Sequence, residues 1–107
     1  MVHELKIMPQ YYRAVGCGRK NFEIRKNDRN FQLHDKLILR EWDEEKDDYT
    51  GRQLERWIGY IYHGDGRYGL ADGYVVLALK RSAPMRSIDG DLSGLDYADN
   101  PTLMSAT

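Results

Sequence analysis

The sequence predicts a mainly β domain of the α+β class, a small β-barrel of about five to six strands with one short helix near the N-terminus. Three observations carry this prediction: five β-prone segments with alternating or continuous apolar residues, connections rich in Gly and Asp, and a single segment with helical periodicity. A chain of 107 residues is long enough for one domain and too short for two. Its apolar fraction of 41% is sufficient for one modest core.

The first strand and the helix come from the N-terminal residues. Residues 3–8 alternate between apolar and charged side chains, which is typical of a half-buried strand. Pro9 suits the first position of a helix, where its missing N–H has no partner to lose. Aromatic and apolar residues then recur at helical spacing until Gly16 and Gly18, so we expect a helix of about two turns.

The second strand is predicted over residues 22–26, which alternate again. The apolar side chains of Phe22 and Ile24 are expected to face the core. Glu23 and Arg25 are then expected to lie together on the opposite face, because successive side chains of a strand point to opposite sides.

Three further strands follow. Residues 36–42 are apolar on both faces, which favours a central strand. Residues 43–51 read as an acidic hairpin loop, and residues 54–62 as a long strand. Residues 63–73 form a predicted loop with four glycines, and residues 74–80 a closing strand.

The chain divides into a folded domain over residues 1–81 and an acidic tail over residues 82–107. The tail carries one arginine against four aspartates, and no periodicity continues into it. We expect it to be weakly structured or to depend on a partner for its structure.

Several classes of protein are excluded by composition. Cys17 is the single cysteine, so an internal disulfide and a cysteine-based zinc site are impossible, and its thiol is expected to be inert although partly exposed. His3, His34 and His63 lack metal-ligand spacing and are expected at the surface or in turns, so no metal or cofactor is predicted. The N-terminus lacks signal-peptide features, and no apolar run approaches the roughly 20 residues of a membrane span. A cytoplasmic location without membrane contact is therefore expected.

Charge is distributed unevenly along a chain whose net charge is −1. Residues 19–29 hold five basic and two acidic side chains, a net charge of +3. Residues 41–48 hold six acidic side chains and one basic, a net charge of −5. The basic segment is a candidate contact for an anionic partner, although a short basic segment is more often a solvated face.

Lys20, Glu23 and Arg25 form the most informative group of side chains. Arginine offers a fork of donors, lysine a point charge and glutamate an acceptor for amino groups, so the three together suit a planar polar ligand such as a nucleobase. A surface ion pair without a ligand explains the same spacing, and the residues alone leave both interpretations open.

Residues 18–25, Gly-Arg-Lys-Asn-Phe-Glu-Ile-Arg, match the G-x-K-x-x-E-x-R signature of the ASCH domain, which is related to the PUA domain. The chain also resembles an ASCH-related family of phage and bacterial proteins in several segments that occur in the same order. These segments are residues 3–7, 22–29, 37–42, 49–52 and 72–77. The tail from Ser82 onward shows no such resemblance.

The resemblance implies a PUA-like barrel whose cleft binds RNA or a nucleotide-like ligand. The motif places Lys20, Glu23 and Arg25 in that cleft. It also suggests phosphate contacts from the residues that follow, and a tyrosine in the glycine-rich loop that stacks on a base. These additional candidates are Lys26, Asn27, Arg29 and Tyr68.

Two alternatives to nucleic-acid binding are open. Some small ASCH-like proteins are amidohydrolases of acetylated cytidine, and Lys20 and Glu23 would then be catalytic. Those enzymes use a threonine hydroxyl, which residues 22–25 lack, so this alternative ranks second. The third is a phage-type protein that binds and blocks a host factor through the acidic loop 43–48 or the tail 82–107.

Overall fold

Five β-strands and one α-helix build the domain in the computed structural model, which describes residues 1–84. The predicted mainly β architecture with one short N-terminal helix is confirmed. The elements are β1 (Val2–Ile7), α1 (Pro9–Gly16), β2 (Phe22–Lys26), β3 (Lys36–Asp43), β4 (Asp48–His63) and β5 (Tyr74–Lys80), with a short 3-10 helix at Arg67–Gly69 between β4 and β5.

The strands form one mixed sheet in the order β1-β3-β4-β5-β2, curled into a half-barrel. β1 runs parallel to β3, and the other neighbouring pairs are antiparallel. β3 lies between β1 and β4, so its predicted central position is confirmed. β1 and β2 are the two edges of the sheet. The connection through α1 therefore carries the chain from one edge of the half-barrel to the other.

The core fills the concave side of the sheet. Every second residue of β1, β3 and β5 points into it, as alternation predicts. Val15 of α1 and Phe31 of the loop after β2 complete the packing. The buried apolar side chains are Leu5, Ile7, Val15, Phe31, Leu37, Leu39, Ile58, Val75, Leu77 and Leu79.

The direction in which β2 faces differs from the prediction. Phe22 and Ile24 are 40% and 54% exposed, whereas Glu23 is only 4% exposed, so placing the two apolar side chains in the core was wrong. Pairing with β5 sets Glu23 opposite Leu77 and Arg25 opposite Val75, both core residues. Glu23 and Arg25 do share a face, but that face is the concave one.

His3 is buried, and the prediction of a surface or turn position was wrong for this residue. Its Nε2 lies 2.7 Å from Oδ2 of Asp35, and its ring packs edge-on against Phe31 with centroids 4.8 Å apart. Asp35 also accepts hydrogen bonds from the backbone N–H of Gln32 and from the N-terminal amine. A buried histidine satisfied by a carboxylate fixes the start of β1 against the loop that precedes β3.

Of the two predicted acidic regions, the hairpin lies within the described residues and most of the C-terminal tail does not. The hairpin between β3 and β4 is confirmed, although the strands pair further than expected and leave only residues 44–47 as the connection. β5 ends at Lys80, next to the predicted domain boundary at residue 81. Residues 85–107, the greater part of the predicted tail, lie outside the described residues.

Within residues 1–84, no helix is long and apolar enough to cross a membrane.

Candidate ligand-binding cleft

A cleft of about 550 Å³ opens where the edge strands β1 and β2 approach each other beside α1. β1 contributes its last residues, α1 its first turn, and β2 most of its length. The lining residues are Lys6, Ile7, Met8, Tyr11, Lys20, Phe22, Glu23, Ile24 and Arg25. All three residues of the predicted constellation therefore meet in one cavity.

Glu23 lies at the centre of this group with both carboxylate oxygens occupied. The Lys20 ammonium donates a hydrogen bond to Oε2. Arg25 Nε donates to Oε1 at 3.0 Å, and Arg25 Nη2 lies 2.9 Å from the same oxygen. Because an unpaired buried carboxylate is costly, these two cations are what permit β2 to turn Glu23 inward.

Arg25 and Arg29 also connect the two sheet edges. Arg25 Nη2 donates to the backbone carbonyl of Lys6 at 2.8 Å, and Arg29 Nη1 donates to that of Glu4 at 2.7 Å. Both carbonyls belong to β1, whose outer edge has no strand partner. Two guanidinium groups on the β2 side thus close the seam of the half-barrel.

Aromatic side chains flank the Lys20 ammonium. Its Nζ lies 5.0 Å from the ring centroid of Phe22 and 5.4 Å from that of Tyr11, within the range of cation–π attraction. Sequence reasoning did not assign Tyr11 and Phe22 to the site. For Phe22, the alternation of β2 contained the necessary information: if Glu23 faces the core, the neighbouring Phe22 must lie at the rim of the cleft.

The other predicted site residues do not line the cleft. Asn27 accepts a hydrogen bond from the backbone N–H of Phe31, which stabilises the turn after β2. Lys26, the last residue of β2, is exposed and lies outside the lining of the cleft. Arg29 is engaged with β1, as described. Tyr68 is 88% exposed in the 3-10 helix, with a left-handed φ of 55°.

Glu41 is a second buried carboxylate that the sequence analysis counted only as part of the acidic segment. It is 1% exposed at the end of β3, opposite Ile7 of β1. Arg52 donates to both of its oxygens, at 2.7 and 2.9 Å, and the Thr50 hydroxyl donates to Oε1 at 2.8 Å. The hydrogen bonds from Arg52 are the main reason that the pKa of Glu41 lies below its ordinary value, despite its burial.

The chemistry available in the cleft is donor-rich. Lys20 uses two of its three N–H groups, one toward Glu23 and one toward the carbonyl of Phe22. Arg25 Nη1 has no hydrogen-bond partner within residues 1–84. No group of three His, Cys, Asp or Glu side chains positioned to hold a metal ion occurs in this part of the chain. The arrangement can therefore bind a ligand that presents hydrogen-bond acceptors.

Residues 2–79 match the family model described as Domain of unknown function (DUF3850). The chain belongs to the DUF3850 family. The matched region contains all of the elements except the last residue of β5, together with the three charged residues of the cleft.

This DUF3850 chain is also similar to a protein of Escherichia phage P2, described as an uncharacterized 12.9 kDa protein in the GpA 3′ region. The two are 43% identical over 57 residues, which are 53% of this chain and 50% of the phage protein. The match thus spans about half the length of each protein.

Proposed function

We propose that the cleft binds RNA or a nucleotide-like ligand through Lys20, Glu23 and Arg25. The observation that carries this proposal is the buried Glu23 carboxylate held between two cations in a cleft that is otherwise lined by Lys6 and by apolar and aromatic side chains. Buried charge in a concave pocket is costly to maintain and is typical of a functional site. The resemblance of residues 18–25 to the ASCH signature supports the same proposal.

The charge of the site favours an anionic or acceptor-rich ligand. The lining residues hold one carboxylate and three cations, those of Lys6, Lys20 and Arg25, a net charge of +2, and the overlapping segment of residues 19–29 carries +3. Because Glu23 is buried and its two oxygens are held by Lys20 and Arg25, we assign it the role of orienting these two cations. The free donors of those two residues then recognise carbonyl or phosphate oxygens of the ligand.

The dimensions of the cleft agree with a ligand of nucleoside size. Its volume of about 550 Å³ falls within the range of small-molecule sites in proteins, roughly 300–1,000 Å³. Tyr11 and Phe22 at the rim offer aromatic surfaces on which a base can stack, the usual way in which proteins hold single-stranded RNA.

Binding of a fluorescently labelled single-stranded RNA, measured by anisotropy at several salt concentrations, tests the proposal. We expect an affinity that falls steeply as salt rises, because phosphate contacts release counterions. Lys20→Ala should weaken binding about tenfold or more. Lys46→Ala, which removes an exposed lysine from the acidic hairpin, is the matched control and should leave binding unchanged. Equal affinities of the two variants, or no binding at low salt, would refute the proposal.

A second candidate function is hydrolysis of an acetylated cytidine. The direct hydrogen bond between Lys20 and Glu23 favours it, since such a pair can transfer a proton to and from a reacting group. The lining residues include no Ser, Thr or Cys, so water would be the nucleophile. Release of acetate from acetylated cytidine, lost in Glu23→Gln, is the expected result. An unchanged substrate after prolonged incubation with abundant protein rejects this candidate.

A further inference from the structure

Two arginines, Arg56 in β4 and Arg81 just after β5, reach the turn that follows α1. Arg56 of β4 donates from Nη2 to the carbonyl of Val15 at 3.1 Å, and the backbone N–H of Gly18 donates to the same oxygen at 3.1 Å. Arg81, just after β5, packs over Gly18: a Cβ at this glycine would lie 2.8 Å from Arg81 Nη2. The absence of a side chain at Gly18 is what makes room for the second guanidinium.

The positive charge at this turn has no carboxylate to balance it within residues 1–84. Residues 15–21 contain no acidic side chain. Glu55, next to Arg56 in the sequence, pairs with Lys36. Glu23, which follows the turn, pairs with Lys20 and Arg25 in the cleft. The C-terminal end of a helix supplies about half a negative charge, which cannot neutralise two guanidinium groups.

We infer that Arg56 and Arg81 form a binding site for a phosphate-type oxyanion at the end of α1. Arg56 is half-buried and fixed by its hydrogen bonds to the carbonyls of Val15 and Glu55, so its position does not depend on a ligand. Arg81 is exposed and makes no hydrogen bond within the described residues, so its donors are accessible. Planar guanidinium forks suit the oxygens of a phosphate group.

The electrostatics of Arg56 agree with this assignment. Burial, followed by the charge of Arg81, lowers the pKa of Arg56 from its ordinary value. A negatively charged oxyanion bound between Arg56 and Arg81 would offset the repulsion between their two positive charges. Arg19, on the same turn, is exposed and directs its Nε to the thiol of Cys17 at 3.4 Å. It adds positive charge at the rim of the site.

The phosphate site goes beyond the proposed function and does not depend on it. Gly18, over which Arg81 packs, is two residues before Lys20, but Arg56 and Arg81 do not line the cleft. The rival occupant is the chain itself, because residues 89, 91, 96 and 99 are aspartates. The experiment must separate an external phosphate from these carboxylates.

Thermal unfolding of the full chain in inorganic phosphate, compared with chloride at the same ionic strength, tests the site. We expect the unfolding temperature to rise with phosphate concentration, and a fit of this rise to give an affinity. Arg81→Ala should weaken that affinity tenfold or more, whereas Arg67→Ala removes an exposed arginine from the loop before β5 and should leave it unchanged. Shifts of the arginine Nε–H signals in NMR spectra provide a second measurement.

Three outcomes overturn the inference. The first is no phosphate-specific stabilisation of the wild-type protein. The second is stabilisation of equal size in Arg81→Ala. The third is phosphate binding that appears only after the four tail aspartates are changed to asparagine, which would assign the arginine pair to the tail. None of these outcomes bears on RNA binding by the cleft, because Lys20 is unchanged throughout.

Discussion

At the scale of single residues, the charge of Glu23 organises the cleft. Its two oxygens orient Lys20 and Arg25, and each of these cations also holds a backbone carbonyl, that of Phe22 or that of Lys6. Removing one carboxylate therefore disturbs four contacts. The same carboxylate contributes to stability as well as to ligand binding.

Glu23→Gln should lower the free energy of unfolding by about 2 kcal/mol, because an amide cannot balance two partly buried cations. Urea unfolding followed by circular dichroism measures this change. Glu55→Gln is the matched control, since Glu55 forms an exposed pair with Lys36 whose loss costs about 0.5 kcal/mol or less. Similar losses in the two variants would contradict the central position of Glu23.

Glu41 makes stability depend on pH in the acid range. Its hydrogen bonds from Arg52 and Thr50 place its folded-state pKa below its ordinary value, so the unfolded chain binds the proton first. The stabilisation is complete above the unfolded pKa of about 4.3 and is lost as pH falls through the lower folded value. In Glu41→Gln, urea midpoints should be lower at neutral pH and fall less between pH 5 and 3. Parallel pH profiles for the two proteins would contradict this account.

At the scale of elements, β1 and β2 are neighbours in the half-barrel that are held together by side chains and not by strand pairing. No backbone ladder joins these strands, and the arginine-to-carbonyl bonds of Arg25 and Arg29 replace it. Arginine side chains at a sheet edge also protect that edge from pairing with another chain. Because Arg25 belongs to the cleft as well, ligand binding and closure of the seam are expected to be linked.

Arg29→Ala should loosen this seam without unfolding the sheet. We expect faster amide hydrogen exchange in β1 and β2, and unchanged exchange in the paired centre of β4 and β5, since local opening follows the loss of local contacts. Arg67→Ala, which breaks only an exposed pair with Asp65, should leave all four strands unchanged. Exchange that rises uniformly over the sheet in Arg29→Ala would show that the residue supports the whole fold instead.

At the scale of the whole molecule, alternation predicted most of the architecture but not the orientation of its most polar strand. A period of two places Glu23 and Arg25 on one face whatever the tertiary structure. It does not say which face is inward, and the apolar Phe22 and Ile24 favoured the wrong choice. Pairing with β5 sets Glu23 opposite the core residue Leu77, and Lys20 and Arg25 balance its charge there. Alternation within β2 reports neither the pairing partner nor the charge pairing.

The burial of His3 and Glu41 also could not be predicted from the residues next to them in the sequence. His3 is buried because Asp35, 32 residues away, satisfies it. Glu41 sits beside an acidic hairpin in sequence, yet Arg52 and Thr50 enclose it in space. The basic segment of residues 19–29 is similar: Arg25 lines the cleft and contacts β1, whereas Arg29 contacts β1 only. The assignment to the ASCH and PUA-like domains stays a prediction.

The central claim is that Lys20, Glu23 and Arg25 line the place where the ligand binds. Titration of isotopically labelled protein with a short single-stranded RNA, followed by amide chemical shifts in NMR spectra, tests it most directly. We expect the largest shifts on residues 6–11 and 20–25, and we expect them to disappear in Lys20→Ala. Large shifts confined to the acidic hairpin or the convex face of the sheet, with residues 20–25 unmoved, would contradict it.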